Sequence, residues 1–153
     1  IVGDKRRNLD DFPVQLIFQN AVSSFDAKKT ILASFKEALY FSKKDFNQEE
    51  LEKLMDDFEL DRSSLQKLPN ELSGGMISRA QIIRALLTQP KVLLADEITS
   101  PLDVNLKLKI TELLDAYRKT HGMSIILVSH DVQLLEHVCD RIVDINNIMV
   151  QGR

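Results

Sequence analysis

The spacing of hydrophobic positions changes several times along the chain, and each change marks an element. Residues 14–19, "VQLIFQ", alternate and are rich in β-formers, which predicts a strand ending at Gln19. Residues 20–26 are polar and loop-like. Ile31, Leu32, Phe35, Ala38 and Leu39 then recur at the spacing of one helical face, as do Leu51, Leu54, Met55 and Phe58. Asn47 followed by Glu50 gives the second of these helices a capping-box start. Residues 63–69, "SSLQKLP", predict a short helix and turn.

Ser73 caps a longer helix running to about Thr88 and stopped before Pro90, whose nitrogen carries no hydrogen to donate. Residues 91–95, "KVLLA", are a continuous apolar run of strand length, the pattern of a strand buried on both faces of a parallel sheet. A helix from about Val104 to Thr120 carries Leu106, Ile110, Leu113, Leu114 and Tyr117 on one side. "SIILVS", residues 124–129, is a second buried strand, and Asp131 caps a further helix with Leu134, Leu135 and Val138 inward. "RIVDINNIMVQ" closes the chain as a hairpin around Asn146-Asn147. The order is strand, helical insertion, then strand–helix–strand–helix, an α/β pattern interrupted by helices.

Composition narrows the class. The 153 residues are 44% hydrophobic and 28% charged, neither disordered nor fibrous. A net charge of −3 gives no general attraction to nucleic acid or anionic lipid. The single cysteine, Cys139, forms no internal disulfide, and no apolar run is long enough to cross a bilayer. The chain starts at Ile1, and "IVGDKRRNLDDFP" reads as the middle of a domain, so a fragment is expected.

Four short stretches carry chemistry. "VLLADE" delivers Asp96 and Glu97 to the carboxyl edge of a parallel sheet, where such folds bind ligands. One carboxylate can hold Mg²⁺ and its neighbour can orient or deprotonate a water; an ordinary acidic strand end is the competing reading. "LSGG" opens a helix at Ser73, Gly74 and Gly75, so free N–H groups and the helix dipole can face an anion. His130 follows the second buried strand and could donate to a phosphate, whereas His121 and His137 lack that placement. Gln19 ends its strand with a neutral amide able to ligate Mg²⁺ or hold a water.

Together and in this order these residues resemble the nucleotide-binding domain of ABC transporters over nearly the whole chain. "VQLIFQ" resembles the Q-loop strand, "LSGGM" the LSGGQ signature, "VLLADE" the Walker B strand, "TSPLD" the D-loop, "LVSHD" the switch-histidine loop and "VCDRIVDINNIMVQG" the terminal hairpin. "VQLIFQNAVSSFDAKKTI" is most similar to the oligopeptide, dipeptide and nickel importer group, with Asp26-Ala27 where Asn-Pro is usual.

The resemblance implies a P-loop NTPase (RecA-like) core with an inserted helical subdomain. Residues 1–23 would end the first core part with the Q-loop, residues 24–72 would form the helical subdomain, and residues 73–153 would hold the signature helix, Walker B strand, D-loop, H-loop and C-terminal hairpin. It also implies ATP and Mg²⁺ as ligands. Asp96 would hold the Mg²⁺ shell, Glu97 would polarise the hydrolytic water, His130 would bridge to the terminal phosphate, and Gln19 would sense Mg²⁺ and the membrane partner. Ser73, Gly74 and Gly75 would grip ATP bound to an opposite subunit, and Asp103 would couple the two sites. Implied partners are a second ATP-binding subunit, identical or not, transmembrane permease subunits and, indirectly, a solute-binding protein, with no nucleic acid. The implied location is peripheral, on the cytoplasmic face of the cell membrane.

Departures from the family pattern are Met76 for the last signature glutamine, Ile98 where proline is usual, and Pro101 where alanine is usual. Pro101 restricts Ser100 to extended backbone and so bears on coupling through the D-loop. The phosphate loop G-x-x-x-x-G-K-[ST] belongs upstream of Gln19, and none of the eighteen residues there forms it. The 153 residues alone are therefore expected to be inactive, with sheet faces and an edge left exposed. Two other readings stand beside an importer ATPase. One is a hydrolysis-incompetent subunit lending only its signature motif in trans. The other is a DNA-associated ATPase of the chromosome-maintenance or repair type, disfavoured by the compact stretch between Gln19 and Ser73 and by the absence of heptads and of a basic face.

Overall fold

The computed structural model describes residues 14–98 and 104–144. Three parallel strands, β1 (Val14–Ile17), β2 (Val92–Asp96) and β3 (Ser124–Val128), form a sheet in the order β1-β2-β3. Between β1 and β2 lie α1 (Ile31–Phe41), α2 (Gln48–Asp57), α3 (Gly74–Leu87) and short 3₁₀ turns; α4 (Val104–His121) joins β2 to β3, and α5 (Val132–Val138) follows.

Local chemistry sets most of these boundaries. The hydroxyl of Thr30 accepts from Ala33 N–H at the start of α1, Ser73 from Met76 N–H at the start of α3, and the Asp131 carboxylate from Leu134 N–H at the start of α5. Asn47 Oδ1 accepts from the N–H groups of Glu49 and Glu50. The expected return bond from Glu50 is not made, because its carboxylate accepts instead from Gln89 Nε2 at 3.2 Å across the fold. The turn predicted at residues 63–69 is two 3₁₀ turns, Arg62–Gln66 and Pro69–Glu71.

Helix α3 is the centre of the molecule. Ile77, Ala80, Gln81, Ile82, Ile83, Leu86 and Leu87 are all buried, so it is enclosed on nearly every side. One continuous core joins it to Ile31, Phe35 and Leu39 of α1, to Leu51, Leu54 and Met55 of α2, to Ile17, Leu93 and Ala95 of the sheet, and to Ile110 and Leu114 of α4. Tyr117 of α4 is half-buried against this core, and its hydroxyl donates to the Leu86 carbonyl at 3.1 Å.

Burial pushes the Tyr117 hydroxyl up to about 12, above its ordinary value. The fold therefore favours the neutral phenol over the phenolate. That stabilisation is complete below the unfolded value of about 10 and is lost as pH rises towards the folded value. Thermal melts of the natural protein should fall between roughly pH 10 and pH 12, and less steeply in Tyr117→Phe, which has no proton to lose. Equal slopes in the two proteins would remove Tyr117 as a cause.

Two expectations need correction. Strand β1 stops at Ile17, two residues short of Gln19, because pairing with β2 ends at Ile17–Ala95. The peptide of Phe18 turns away to a side chain of α3, described below. Of the strands predicted as buried on both faces, β2 is buried on one and β3 is only half-buried on that face. Leu93 and Ala95 lie in the core, but on the opposite face Leu16, Ile126 and Val128 are 42%, 54% and 46% exposed. A continuous apolar run reports that a strand can be buried twice, not that a second layer is in place. The expected terminal hairpin around Asn146-Asn147 lies outside the described residues, which end at Asp144.

Candidate nucleotide site at the carboxyl edge of the sheet

The carboxyl ends of three parallel strands point to one edge, where the chain leaves each strand and its side chains are free to meet a ligand. Strand β2 delivers Asp96 and Glu97 there, β3 delivers Ser129 and His130, and β1 leads through Phe18 to Gln19. Register makes neighbours of residues far apart in sequence. Asp96 pairs with Val128, and Glu97 N–H donates to the Val128 carbonyl at 3.0 Å.

The next contact brings the two expected catalytic groups together. Glu97 Oε1 accepts from His130 N–H at 3.0 Å and lies 3.6 Å from His130 Nε2. The Glu97 side chain is only 16% exposed, whereas that of His130 is 98% exposed. The carboxylate is thus largely enclosed while the imidazole stands open to solvent beside it. Glu97 also sits at φ 51°, in the left-handed region that costs a side-chain-bearing residue roughly 1–2 kcal/mol. Such strain persists where surrounding structure over-determines a position, and it concentrates at functional sites. The backbone bond from Glu97 N–H to Val128 and the bond from His130 N–H to the Glu97 carboxylate supply that constraint here.

Asp96 and Gln19 are both exposed at this edge, one an anionic and one a neutral oxygen donor. Among the described residues no cluster of three or more His, Cys, Asp or Glu side chains could cage a metal. That donor set fits Mg²⁺, which keeps most of its water and is held by one or two carboxylates together with phosphate oxygens.

Ser73, Gly74 and Gly75 lie at the start of α3 and share no hydrogen bond or ion pair with Asp96, Glu97 or His130. Among the described residues a Cβ built on Gly74 would meet nothing within 4 Å, so no packing between them demands glycine there. Ser73 and Gly74 are exposed at this helix start, where the first N–H groups of a helix lack partners within it. Met76 is half-buried against the core, so the side chain at the position of departure packs inward. Asp103 and Pro101 lie outside the described residues, while Ile98 is buried in the core.

Residues 4–100 match the family model described as ABC transporter. The chain belongs to the ABC transporter family. Curated relatives include the nickel import system ATP-binding protein NikE of Staphylococcus aureus strains N315 and USA300, each 38% identical over 146 residues, with 93% of this chain and 63% of the relative covered. The chain thus spans less than two thirds of those relatives' length. Its fold is that of the dimeric bacterial ABC transporter cassette MJ0796, at a TM-score of 0.69, 24% identity and coverage of 88% of this chain and 60% of that one. The same cassette in a post-hydrolysis state, bound to ADP and Pi, superposes at a TM-score of 0.68, with 24% identity and coverage of 86% and 59%. This is the P-loop NTPase fold of ABC ATPases, as the motif order implied. Among the described residues no helix is long and apolar enough to cross a membrane.

Two polar residues of α3 that reach the core, the buried Gln81 and the half-buried Arg84, were not singled out by motif. The signal was present: Gln81 interrupts the run Ala80–Ile83, whose other members are all buried and apolar. A buried glutamine in such a run needs a partner.

Proposed function

We propose that the natural protein is an ATP-binding and ATP-hydrolysing subunit of an ABC importer of the nickel or peptide type. It would act at the cytoplasmic face of the membrane, paired with a second ATP-binding subunit and docked on transmembrane permease subunits. The observation that carries this reading is the contact between Glu97 and His130 at the carboxyl edge of the sheet, with Asp96 and Gln19 exposed at the same edge. The similarity to nickel import ATP-binding proteins supports the importer type.

In this reading Glu97 orients the attacking water and receives its proton, and His130 donates to the terminal phosphate. Asp96 and Gln19 would hold Mg²⁺, which when bound neutralises charge on the β- and γ-phosphates. Ser73, Gly74 and Gly75 would grip the terminal phosphate of ATP carried by the second subunit; the open space around Gly74 supports that assignment. Asp103 would couple the two sites. The division into residues 1–23, 24–72 and 73–153, with the middle segment carrying the membrane-subunit contacts, belongs to the same proposal.

The test is Mg²⁺-dependent ATP hydrolysis by the natural protein and its His130→Ala variant. Loss of one hydrogen bond to a reacting phosphate should lower kcat by about 10²-fold or more while ATP still binds. Unchanged kcat would remove His130 from the site. A natural protein that hydrolyses nothing alone but accelerates hydrolysis by a partner subunit would favour the signature-only role.

A further inference from the structure

We propose that Gln81 is a positioning residue that fixes the backbone leading into Gln19 to the signature helix α3. The proposal rests on the reading of Gln19 as a Mg²⁺-site residue. Gln81 is 2% exposed. In the amide orientation that satisfies every partner, its nitrogen donates to the Phe18 carbonyl at 3.1 Å and its oxygen accepts from Phe18 N–H at 3.0 Å. A side-chain amide here pairs with a peptide group as a neighbouring strand would. It takes over where the ladder between β1 and β2 ends, at Ile17–Ala95. Ser24 Oγ lies 3.3 Å from the same Gln81 oxygen, but its proton goes to the Ala21 carbonyl at 2.7 Å, which leaves Phe18 N–H as the donor.

One turn further along α3, Arg84 holds the other side of the segment. Its Nη1 donates to the Ser24 carbonyl at 2.7 Å, and its guanidinium lies 4.1 Å from the centre of the Phe25 ring. Burial pulls the Arg84 pKa below its ordinary value, with Glu37 acting in the opposite direction. Helix α3 therefore grips the chain one residue before Gln19 and again five and six residues after it. Gln19 is exposed between these anchors. Any displacement of the helix that begins with Ser73, Gly74 and Gly75 is carried directly to Gln19 through two side chains.

The test compares Gln81→Met, which keeps length and apolar packing but offers neither bond, with the unmodified natural protein. Exchange of the Phe18 amide hydrogen, read by NMR with ¹⁵N-phenylalanine labelling, should accelerate about 10-fold or more, with the Phe35 amide of α1 unchanged as an internal standard. The Mg²⁺ concentration for half-maximal ATP hydrolysis should rise about 10-fold, as when a metal ligand loses its supporting contact, and by more than kcat at saturating Mg²⁺ falls. Unchanged Phe18 exchange, or equal acceleration at Phe35, would overturn the proposal. Gln19→Ala measured alongside separates the two readings. A shifted Mg²⁺ requirement in Gln19→Ala but not in Gln81→Met overturns the positioning role and leaves Gln19 in the site. Faster Phe18 exchange in Gln81→Met with no Mg²⁺ effect in Gln19→Ala upholds the backbone anchor and removes Gln19 from the site.

Discussion

Replacing Glu97 by glutamine is expected to lower ATP hydrolysis by the natural protein by about 10²–10⁴-fold, the usual contribution of a positioned general base. The substitution isolates chemistry from structure. Glutamine retains an oxygen that can accept from His130 N–H, the bond Glu97 makes at 3.0 Å. It has the same length, and a non-glycine residue at φ 51° bears similar strain either way. What disappears is the carboxylate able to take a proton. Melting temperature should therefore stay within about 2 °C, because surface-edge changes that preserve hydrogen bonds rarely exceed roughly 0.5 kcal/mol. Hydrolysis retained to within about threefold would mean that another group serves as base and that the contact with His130 is only structural.

The second large effect is on stability. Phe35 is fully buried in α1, and Phe35→Ala should cost about 3–5 kcal/mol through lost transfer energy and the cavity left behind. That is a large share of a domain's total stability of roughly 5–15 kcal/mol. For a protein of this size or larger it corresponds to a fall in Tm of roughly 6–20 °C. Phe41 lies in the same helix and is 74% exposed, so Phe41→Ala serves as the comparison. It should change stability by less than about 0.5 kcal/mol. Similar melting shifts for the two variants would show that α1 does not face the core as described.

That Phe35 points inward was readable without coordinates. Ile31, Phe35 and Leu39 recur every four residues, and only one face of a helix can hold them all. Thr30 begins that helix one residue before its first core position. Ile125 and Ile126 show the opposite case. They are adjacent, chemically identical and equally compatible with a buried strand, yet Ile125 packs on the core and Ile126 is 54% exposed. The alternation of side chains across a strand guaranteed that they would face opposite ways, but not what either face would meet.

The candidate site divides along the same line. Its residue types and their order were evident from the chain: two carboxylates closing one apolar run, a histidine closing another, and a serine with two glycines opening a helix. Those features depend on bonds spanning two to four residues and on short hydrophobic periods, which a sequence states directly. Three facts required the folded molecule. Glu97 meets His130, 33 positions away, because β2 and β3 pair in one register rather than another. Strand β1 ends at Ile17 because the Phe18 peptide is claimed by Gln81, 63 positions further along the chain. Glu50 abandons its own helix end for Gln89, 39 positions away. Each is a choice among hydrogen-bond partners that are equally adequate locally. Burial in the α3 core decides the second, since Gln81 loses water there and must find a partner, whereas strand register and the packing of the helices bring the other two pairs together.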